Sequence, residues 1–344
     1  MTTQSFTRLS PRAADAAEPA SLGSLLCELF KARLTLLVLI TTLMGFFLGS
    51  PSGIDSTLCL HALVGTSLLA AGASALNQWI ERDHDALMRR TASRPLPSGQ
   101  MSPLSVLALG VGTSLLGLFW LLWAVNSLTA FLGAMTLVTY LFAYTPLKRM
   151  TVLNTLVGAI PGALPPLMGW TAATGTLSPK GWTLFAILFF WQLPHFMAIS
   201  WLYREEYARA GFKMLSGIDP DGRRTAASAI RNTLALIVVS LIPFLQAVSG
   251  RIYLVAALLL GGFFLFFAIR FAFRLSTVSA KHLFWFSILY LPLILTMLVV
   301  DRTKPPKPRS AAPISLMRFF PRFYLPLPPS LVLNFAAMPP ESGS

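Results

Sequence analysis

Charged residues are scarce in this chain, and acidic ones scarcest of all. Only 12% of its 344 residues are charged, with 13 Asp and Glu against 27 Lys and Arg, whereas 55% are hydrophobic. Soluble globular domains carry about 25% charged residues, so this composition argues against that class. It is typical of a polytopic membrane protein, one that crosses the bilayer several times.

Cysteine is nearly absent, and so are nucleic-acid-binding signatures. Cys27 and Cys59 form no metal-binding spacing, and we do not expect a structural disulfide between them. No helix-turn-helix, zinc-finger or RNA-binding motif accompanies the net charge of +14, so we expect no nucleic-acid partner. Basic loops at one membrane face account for most of that charge.

Long runs without charge define the fold class. A bilayer core about 30 Å thick needs about 20 apolar residues per spanning helix. We therefore predict an all-α polytopic membrane protein, with about nine transmembrane helices around a central cavity that opens to the cytoplasmic face. The predicted spans are residues 34–50, 57–79, 104–124, 127–146, 152–172, 181–203, 232–249, 252–273 and 282–300.

The Lys and Arg residues predict the orientation. The N-terminal segment and the loops after spans 2, 4, 6 and 8 are rich in them. The loops after spans 1, 3, 5 and 7 hold only Lys180 and Arg251. Because basic loops stay on the cytoplasmic side, we expect the N-terminus and the even-numbered loops to be cytoplasmic.

The two ends of the chain differ from the middle. Residues 1–24 are polar and Ala-rich, which predicts a disordered cytoplasmic lead before a domain at 25–300. Residues 301–344 form a basic tail with too many prolines for a tenth spanning helix. Nine spans would place this tail outside, yet Arg302 and Lys304 directly follow the last span. Either the tail is exported against the charge bias, or the number of spans is wrong by one.

The most informative polar segment begins where the second apolar run ends. Residues 57–76 hold no Asp, Glu, Lys or Arg, and Asn77, Glu81, Asp83 and Asp85 then follow closely. Helical geometry places Asn77, Glu81 and Asp85 on one face, while Asp83 points the other way. Their oxygens suit a hard cation, so we predict that these three residues are catalytic and hold Mg²⁺. The alternative is a solvated helix end with paired charges.

Basic side chains follow in the cytoplasmic loops. Arg90 and Arg94 come shortly after the acidic segment, and Lys148 and Arg149 follow span 4. Guanidinium and ammonium groups bind phosphate oxygens, so we predict that all four bind a diphosphate. As markers of the cytoplasmic side alone, they would look the same.

Span 6 and the loop after it carry two further candidate sets. Glu205 and Glu206 form a second acidic cluster, which could clamp a diphosphate or simply pair with neighbouring arginines. His195 and Gln192 lie inside the span, where an ionisable residue is a functional candidate. On one continuous helix His195 and Glu206 would share a face, roughly 16 Å apart, so that a long ligand could lie between them. The alternative is that His195 bonds a neighbouring helix.

Together these segments resemble the UbiA-type family of intramembrane prenyltransferases, over about residues 25–300. The pattern of Asn77, Glu81 and Asp85 is shared by the whole family. Two motifs are typical of its haem-modifying branch, Trp191-Gln192-Leu193-Pro194-His195-Phe196 and the segment 203–215 with its two tyrosines and Ala-Gly pair. Glu81 and Glu206 depart from this branch, which usually has aspartate there, but both keep the carboxylate.

The resemblance implies a reaction. Farnesyl diphosphate would lie with its diphosphate on Mg²⁺ held by Asn77, Glu81 and Asp85. Its farnesyl group would pass to a vinyl group of protohaem IX with addition of water, giving haem O and diphosphate. His195 and Gln192 would contact the haem. The resemblance also implies a multi-pass location in the lipid bilayer of the bacterial inner (plasma) membrane, and a downstream haem-modifying membrane enzyme as a partner.

Two other functions fit parts of the sequence. The same fold could prenylate a quinone-precursor or a chlorophyll-type ring. A transporter is the non-enzymatic alternative, but transporters often show related repeats with interrupted spans and polar sites at the bilayer midplane. No such repeat is visible here, and the polar residues cluster at one face, so we prefer the enzyme.

Overall fold

The computed structural model describes residues 21–303 of the chain. Within this range the secondary structure is helical, apart from an isolated bridge between Ser249 and Arg302. Nine helical segments of these residues are long and apolar enough to cross a bilayer. The predictions of an all-α membrane protein and of nine spans are confirmed for this part of the chain. The tail question stays open, because residues 304–344 lie outside it.

The helices follow one another mostly with short connections, apart from the loops 86–102 and 210–222. They are α1 (Leu22–Leu29), α2 (Ala32–Gly49), α3 (Ser56–Asp85), α4 (Pro103–Ala124), α5 (Ser127–Val138), α6 (Thr145–Met150), α7 (Asn154–Thr174), α8 (Pro179–Leu202), α9 (Arg204–Arg209), α10 (Arg223–Leu245), α11 (Arg251–Arg274) and α12 (Thr277–Val300). A π-helical segment, Thr139–Tyr144, joins α5 to α6, so these three form one span. A 3₁₀ turn, Leu215–Gly217, follows α9.

The observed spans agree with the predicted ones in number and differ at their ends. α3 continues to Asp85 rather than residue 79, and α10 begins at Arg223 rather than residue 232. Both extensions carry charged residues, so a prediction from apolar runs ends before them. Helical hydrogen bonding can nevertheless continue beyond the hydrocarbon. α1 begins at Leu22, just inside the segment predicted as the disordered lead; the rest of that prediction, on residues 1–20, lies outside the described residues.

Buried Asp219 stabilises the early start of α10. Its carboxylate accepts hydrogen bonds from the backbone N–H and the hydroxyl of Thr225, at 2.7 and 2.8 Å. Burial alone would raise the pKa of Asp219, but the hydrogen bonds from Thr225 hold this pKa below its usual value. Capping of this kind satisfies an N–H group that has no partner inside the helix.

Glycines let the backbones of α2 and α7 pack in direct contact. Gly45 lies directly on the carbonyl of Pro166, and Gly169 lies on the carbonyl of Thr42, so neither position has room for a Cβ atom. Small residues allow such backbone contact between membrane helices, where tight packing replaces the hydrophobic driving force. This contact places α7, and the cavity wall that it forms, beside α2.

Three loops pack together at one end of the bundle. We call residues 86–102, 145–153 and 203–222 the loop cap. Met88 of the first loop and Phe212 of the third belong to one small cluster of buried apolar side chains. The N–H of Lys213 donates to the carbonyl of Lys148 at 2.7 Å, and the side chain of Asn154 donates to the carbonyl of Lys213 at 2.8 Å. The cap therefore joins the ends of spans that are distant in sequence.

Candidate active site

A cavity of about 490 Å³ lies between the helices and reaches the loop cap. Its charged end is formed by α3, the π-helical segment and α6. Its apolar walls come from α2, α7, α8 and α12, and they include Leu37, Val38, Pro161, Pro165, Leu188 and Leu291. One cavity thus offers a charged end and an apolar interior.

The three predicted metal ligands lie at the charged end. Asn77, Glu81 and Asp85 line the cavity and are buried. Asp83, on the opposite face of α3, exposes 84% of its side chain. The helix stays regular through Asp85, so the four-residue spacing brings the three side chains together as predicted.

Each of these oxygen-bearing side chains is bonded to a cation. Lys148 Nζ lies 2.8 Å from Glu81 Oε1, and Arg94 bonds Asp85 Oδ2 at 2.5 Å. Lys31 Nζ donates to the side-chain oxygen of Asn77 at 3.0 Å. Buried carboxylates need such partners, because an isolated charge in an apolar surrounding is costly. These lysine and arginine side chains lie where they can also bind an anionic ligand.

Lys31 is a site residue that sequence reasoning missed. In the sequence it is only one of several basic residues of the N-terminal segment, but it lies at the junction of α1 and α2 with a left-handed φ of 47° and lines the cavity. Burial, together with the charges of Arg94 and Lys148, lowers the pKa of Lys31 to about 7. A lysine in this setting gains its full charge when an anion binds beside it. No local sequence signal distinguishes it from the other basic residues near the N-terminus.

The chemistry of the donor set fits Mg²⁺. Asn77, Glu81 and Asp85 offer amide and carboxylate oxygens, the ligands that hard cations prefer. Within residues 21–303 no group of three His, Cys, Asp or Glu side chains is arranged to hold a metal by itself. Magnesium is commonly held by one or two carboxylates and completed by phosphate oxygens, so two carboxylates suffice.

Three of the four predicted diphosphate-binding residues line the cavity. They are Arg90, Arg94 and Lys148. The prediction for Arg149 does not fit the structure. Arg149 is exposed outside the cavity and donates to His84 Nε2 at 2.9 Å. Consecutive residues of α6 point about 100° apart, so only Lys148 of this pair faces inward.

The second acidic cluster does not reach the cavity. Glu205 is exposed, and Glu206 is half-buried; neither lines the cavity wall. α8 ends at Leu202, and Tyr203 breaks the helix with φ −114° and ψ 23° before α9 begins. The expectation that His195 and Glu206 share one continuous helical face is therefore wrong. The loop instead contributes Tyr207 to the lining.

His195 and Gln192 both line the cavity on the α8 wall. The Nδ1 atom of His195 lies 2.7 Å from Ser287 Oγ of α12. Gln192 is buried and donates to the carbonyl of Ala159 at 2.8 Å. His195 therefore lies in the cavity wall and also bonds a neighbouring helix, and its contact with haem stays a prediction.

Two tyrosines of the π-helical segment complete the charged end. Tyr140 and Tyr144 line the cavity, and their rings stack at 5.8 Å between centroids. Lys148 Nζ lies 4.6 Å from the centroid of the Tyr144 ring, and Asn77 donates to the hydroxyl of Thr145 at 3.2 Å. The four-residue spacing of the two tyrosines beside a basic pair was the available signal, and sequence reasoning did not use it.

Comparisons with known proteins agree with this architecture. The model of the UbiA prenyltransferase family matches residues 38–299. A relative named Protoheme IX farnesyltransferase, from Solibacter usitatus, is 50% identical over 284 residues, which cover 80% of this chain and 97% of the relative.

Two solved structures have the same fold. One concerns digeranylgeranylglyceryl phosphate synthase, with a TM-score of 0.70 and 16% identity, covering 81% of this chain and 97% of that one. The other is a UbiA homolog from Archaeoglobus fulgidus bound to GPP and Mg²⁺, with a TM-score of 0.56 and 16% identity, covering 80% of this chain and 99% of that one. At such identity the structures support the fold alone. Together with the match to the family model, the comparisons show that this chain belongs to the UbiA prenyltransferase family.

Proposed function

We propose that this protein transfers the farnesyl group of farnesyl diphosphate to a vinyl group of protohaem IX. Water adds to the second vinyl carbon, and the products are haem O and diphosphate. The observation that carries the proposal is the 50% identity, over 97% of its length, to a relative named for this activity. The cavity is consistent with it, since a charged end and a histidine-bearing apolar wall suit a diphosphate and a porphyrin.

At the charged end, Asn77, Glu81 and Asp85 would hold Mg²⁺. When bound, the ion would neutralise phosphate charge and so favour departure of the diphosphate. Arg94 and Lys148 supply cationic groups for the phosphate oxygens, and their present bonds to Asp85 and Glu81 keep them in place. The Archaeoglobus fulgidus homolog of the same fold is bound to GPP and Mg²⁺, the same kinds of ligand that we propose for this cavity.

In the interior, the chain's role is to protect and orient the reacting carbon. Loss of diphosphate leaves an allylic cation on the farnesyl group. Any water molecule that reached this cation would react with it. Apolar walls exclude that water, and the faces of Tyr140 and Tyr144 carry the negative quadrupole that favours a nearby cation. The haem vinyl group then attacks, and a water molecule adds to the resulting carbocation with release of one proton.

The other functions considered lack a supporting observation. A quinone-precursor or chlorophyll-type acceptor rests on the fold alone, and at 16% identity the structural neighbours carry no argument about acceptors. A transporter would need polar sites at mid-depth in related halves, whereas the charged residues of this cavity gather at one end. The haem product is amphiphilic and stays in the membrane, so we also propose that a downstream haem-modifying membrane enzyme takes it from there.

The direct test uses purified protein with protohaem, farnesyl diphosphate and Mg²⁺, and follows the mass of the haem. We expect a new species heavier by one farnesyl group plus one hydroxyl. A parallel reaction with a phenolic acid in place of haem is the control for acceptor choice. Prenylation of the phenolic acid without any change in the haem would refute the proposal.

A further inference from the structure

Ser287 of α12 determines which ring nitrogen of His195 carries the proton. Ser287 Oγ lies 2.7 Å from His195 Nδ1 and 2.6 Å from the carbonyl oxygen of Phe284. A carbonyl only accepts, so the single hydroxyl proton of Ser287 is used there. Toward His195 the hydroxyl must therefore accept, and Nδ1 is the nitrogen that donates.

The other nitrogen, Nε2, is then left with a lone pair. In a neutral imidazole one nitrogen is a donor and the other an acceptor. Within residues 21–303 His195 has a hydrogen bond at Nδ1 alone, and the side chain lines the cavity. Nε2 is thus available to a ligand that offers a metal ion or a proton donor.

Two aromatic rings restrict how such a ligand can approach. Trp191 and Phe284 stack on the imidazole, with centroids 5.2 and 5.0 Å away and planes 19° and 24° apart. The Trp191 indole N–H also donates to the backbone carbonyl of Ser287 at 2.7 Å. The lone pair of Nε2 lies in the plane of the ring, so a metal meets His195 in that plane and not through a stacked face.

We infer that Ser287 is a positioning residue that holds His195 with Nε2 free as the axial ligand of the haem iron. This inference rests on the proposed function, because the iron belongs to the substrate. Metal-bound histidines almost always donate their other N–H to a fixed acceptor, as His195 does to Ser287. An axial bond locates the centre of the macrocycle and so orients its vinyl group for attack.

The same geometry disfavours contact between His195 and a haem propionate. A carboxylate needs a donor, and the neutral ring with its proton on Nδ1 has none at Nε2. Donation from both nitrogens would require an imidazolium ion among aromatic rings, where an uncompensated charge is costly.

The test compares protohaem with metal-free protoporphyrin IX, each bound to the whole protein and to single variants. The haem is reduced to the ferrous state when its iron–histidine stretching band is recorded by resonance Raman spectroscopy. His195→Ala should abolish the iron–histidine stretching band and shift the Soret band of bound haem. Ser287→Ala should weaken haem binding about tenfold, the effect of removing a partner of a metal ligand. Neither substitution should change the affinity for metal-free protoporphyrin IX or for farnesyl diphosphate, which also shows that the variants fold.

Ser240→Ala provides the matched control. Ser240 is a fully buried serine that bonds the Tyr290 hydroxyl of α12 at 3.0 Å and does not line the cavity. We expect it to leave both porphyrin affinities unchanged. Ser287→Thr keeps the hydroxyl and should restore the haem affinity that Ser287→Ala lowers.

Two results would overturn the inference. One is an unchanged iron–histidine band in His195→Ala; the other is an equal loss of haem and metal-free porphyrin in Ser287→Ala, which would mean a structural role. The proposed function is judged separately, by the mass of the haem product formed by the unsubstituted protein. A protein that farnesylates haem without this axial bond would disprove the inference and leave the function intact.

Discussion

At the scale of single residues, the charged end of the cavity combines two opposing requirements. Two buried carboxylates must be neutralised in the protein alone, and under the proposed function the same carboxylates would hold a metal when the substrate arrives. The bonds of Lys148 to Glu81 and of Arg94 to Asp85 meet the first requirement. A diphosphate brings its own negative charge, so under the proposed function Lys148 and Arg94 would bind phosphate oxygens and Glu81 and Asp85 would hold Mg²⁺.

Removal of one of the predicted metal ligands should therefore affect turnover far more than folding. We expect Asp85→Ala and Asn77→Ala to lower the rate of haem farnesylation about 100-fold or more, the loss typical of a group that stabilises developing charge. Asp83→Ala is the matched control, since its side chain is 84% exposed on the opposite face. That variant should stay within about twofold of the parent, as surface substitutions do.

The measurement is the rate of haem product formation at saturating Mg²⁺, with haem binding as the check on folding. Full activity in both Asp85→Ala and Asn77→Ala would refute the metal assignment. A loss in Asp83→Ala as large as in Asp85→Ala would show instead that the whole segment, rather than one face of α3, is required.

At the scale of helices, the position of α7 depends on contacts that leave no space for a side chain. Gly45 and Gly169 lie against carbonyls of Pro166 and Thr42. A methyl group at either glycine must push α2 and α7 apart, and interiors packed this tightly do not absorb such a change. Because α7 also lines the cavity, the same displacement would change the apolar wall.

We expect Gly45→Ala to destabilise the protein by about 1–3 kcal/mol, the usual cost of overpacking. Gly112→Ala in α4 is the control, because nothing lies within 4 Å of a Cβ atom there. Thermal unfolding in detergent, followed by intrinsic fluorescence, measures both. Equal midpoints for the two variants would show that α2 and α7 can separate without cost.

The break between α8 and α9 also matters at this scale. An uninterrupted α8 would carry Glu206 toward the cavity on the same face as His195. The turn at Tyr203 sends the chain across the loop cap instead, where Arg90 stacks over the rings of Tyr203 and Tyr207 at 5.3 and 5.9 Å. The loop therefore covers the cavity with aromatic and basic side chains rather than with its acidic pair.

At the scale of the whole molecule, the distribution of Lys and Arg predicts a cytoplasmic N-terminus. Cys27 is exposed in α1 on that side, and Cys59 is buried in α3. A membrane-impermeant thiol reagent should therefore label Cys27 in inverted vesicles and leave intact cells unlabelled. The control is a Cys27→Ser, Ser52→Cys double variant, whose exposed position 52 lies in the loop after the first span.

This double variant should be labelled in intact cells. The reverse pattern in both proteins would mean that the bundle is inserted with the opposite orientation, and that the charged end of the cavity faces outward. Labelling of Cys27 from both sides would contradict a single orientation.

Much of this molecule follows from the sequence, because the features concerned are local and periodic. Apolar runs predict the nine spans, since each must cross the same hydrocarbon thickness. The 3.6-residue period of one helix places Asn77, Glu81 and Asp85 together and turns Asp83 away. The motifs around them were sufficient to indicate the family.

Only the tertiary structure could decide which distant residues meet. The bond between His195 and Ser287 joins positions 92 residues apart, and that between Lys148 and Glu81 joins positions 67 apart. The helix break at Tyr203 likewise depends on how the loop cap packs. No period within one helix reports how helices lie beside one another, because that is decided by close packing among all of them. The sequence by itself thus determined the spans and the acidic face, and the packing decided which side chains complete the cavity around them.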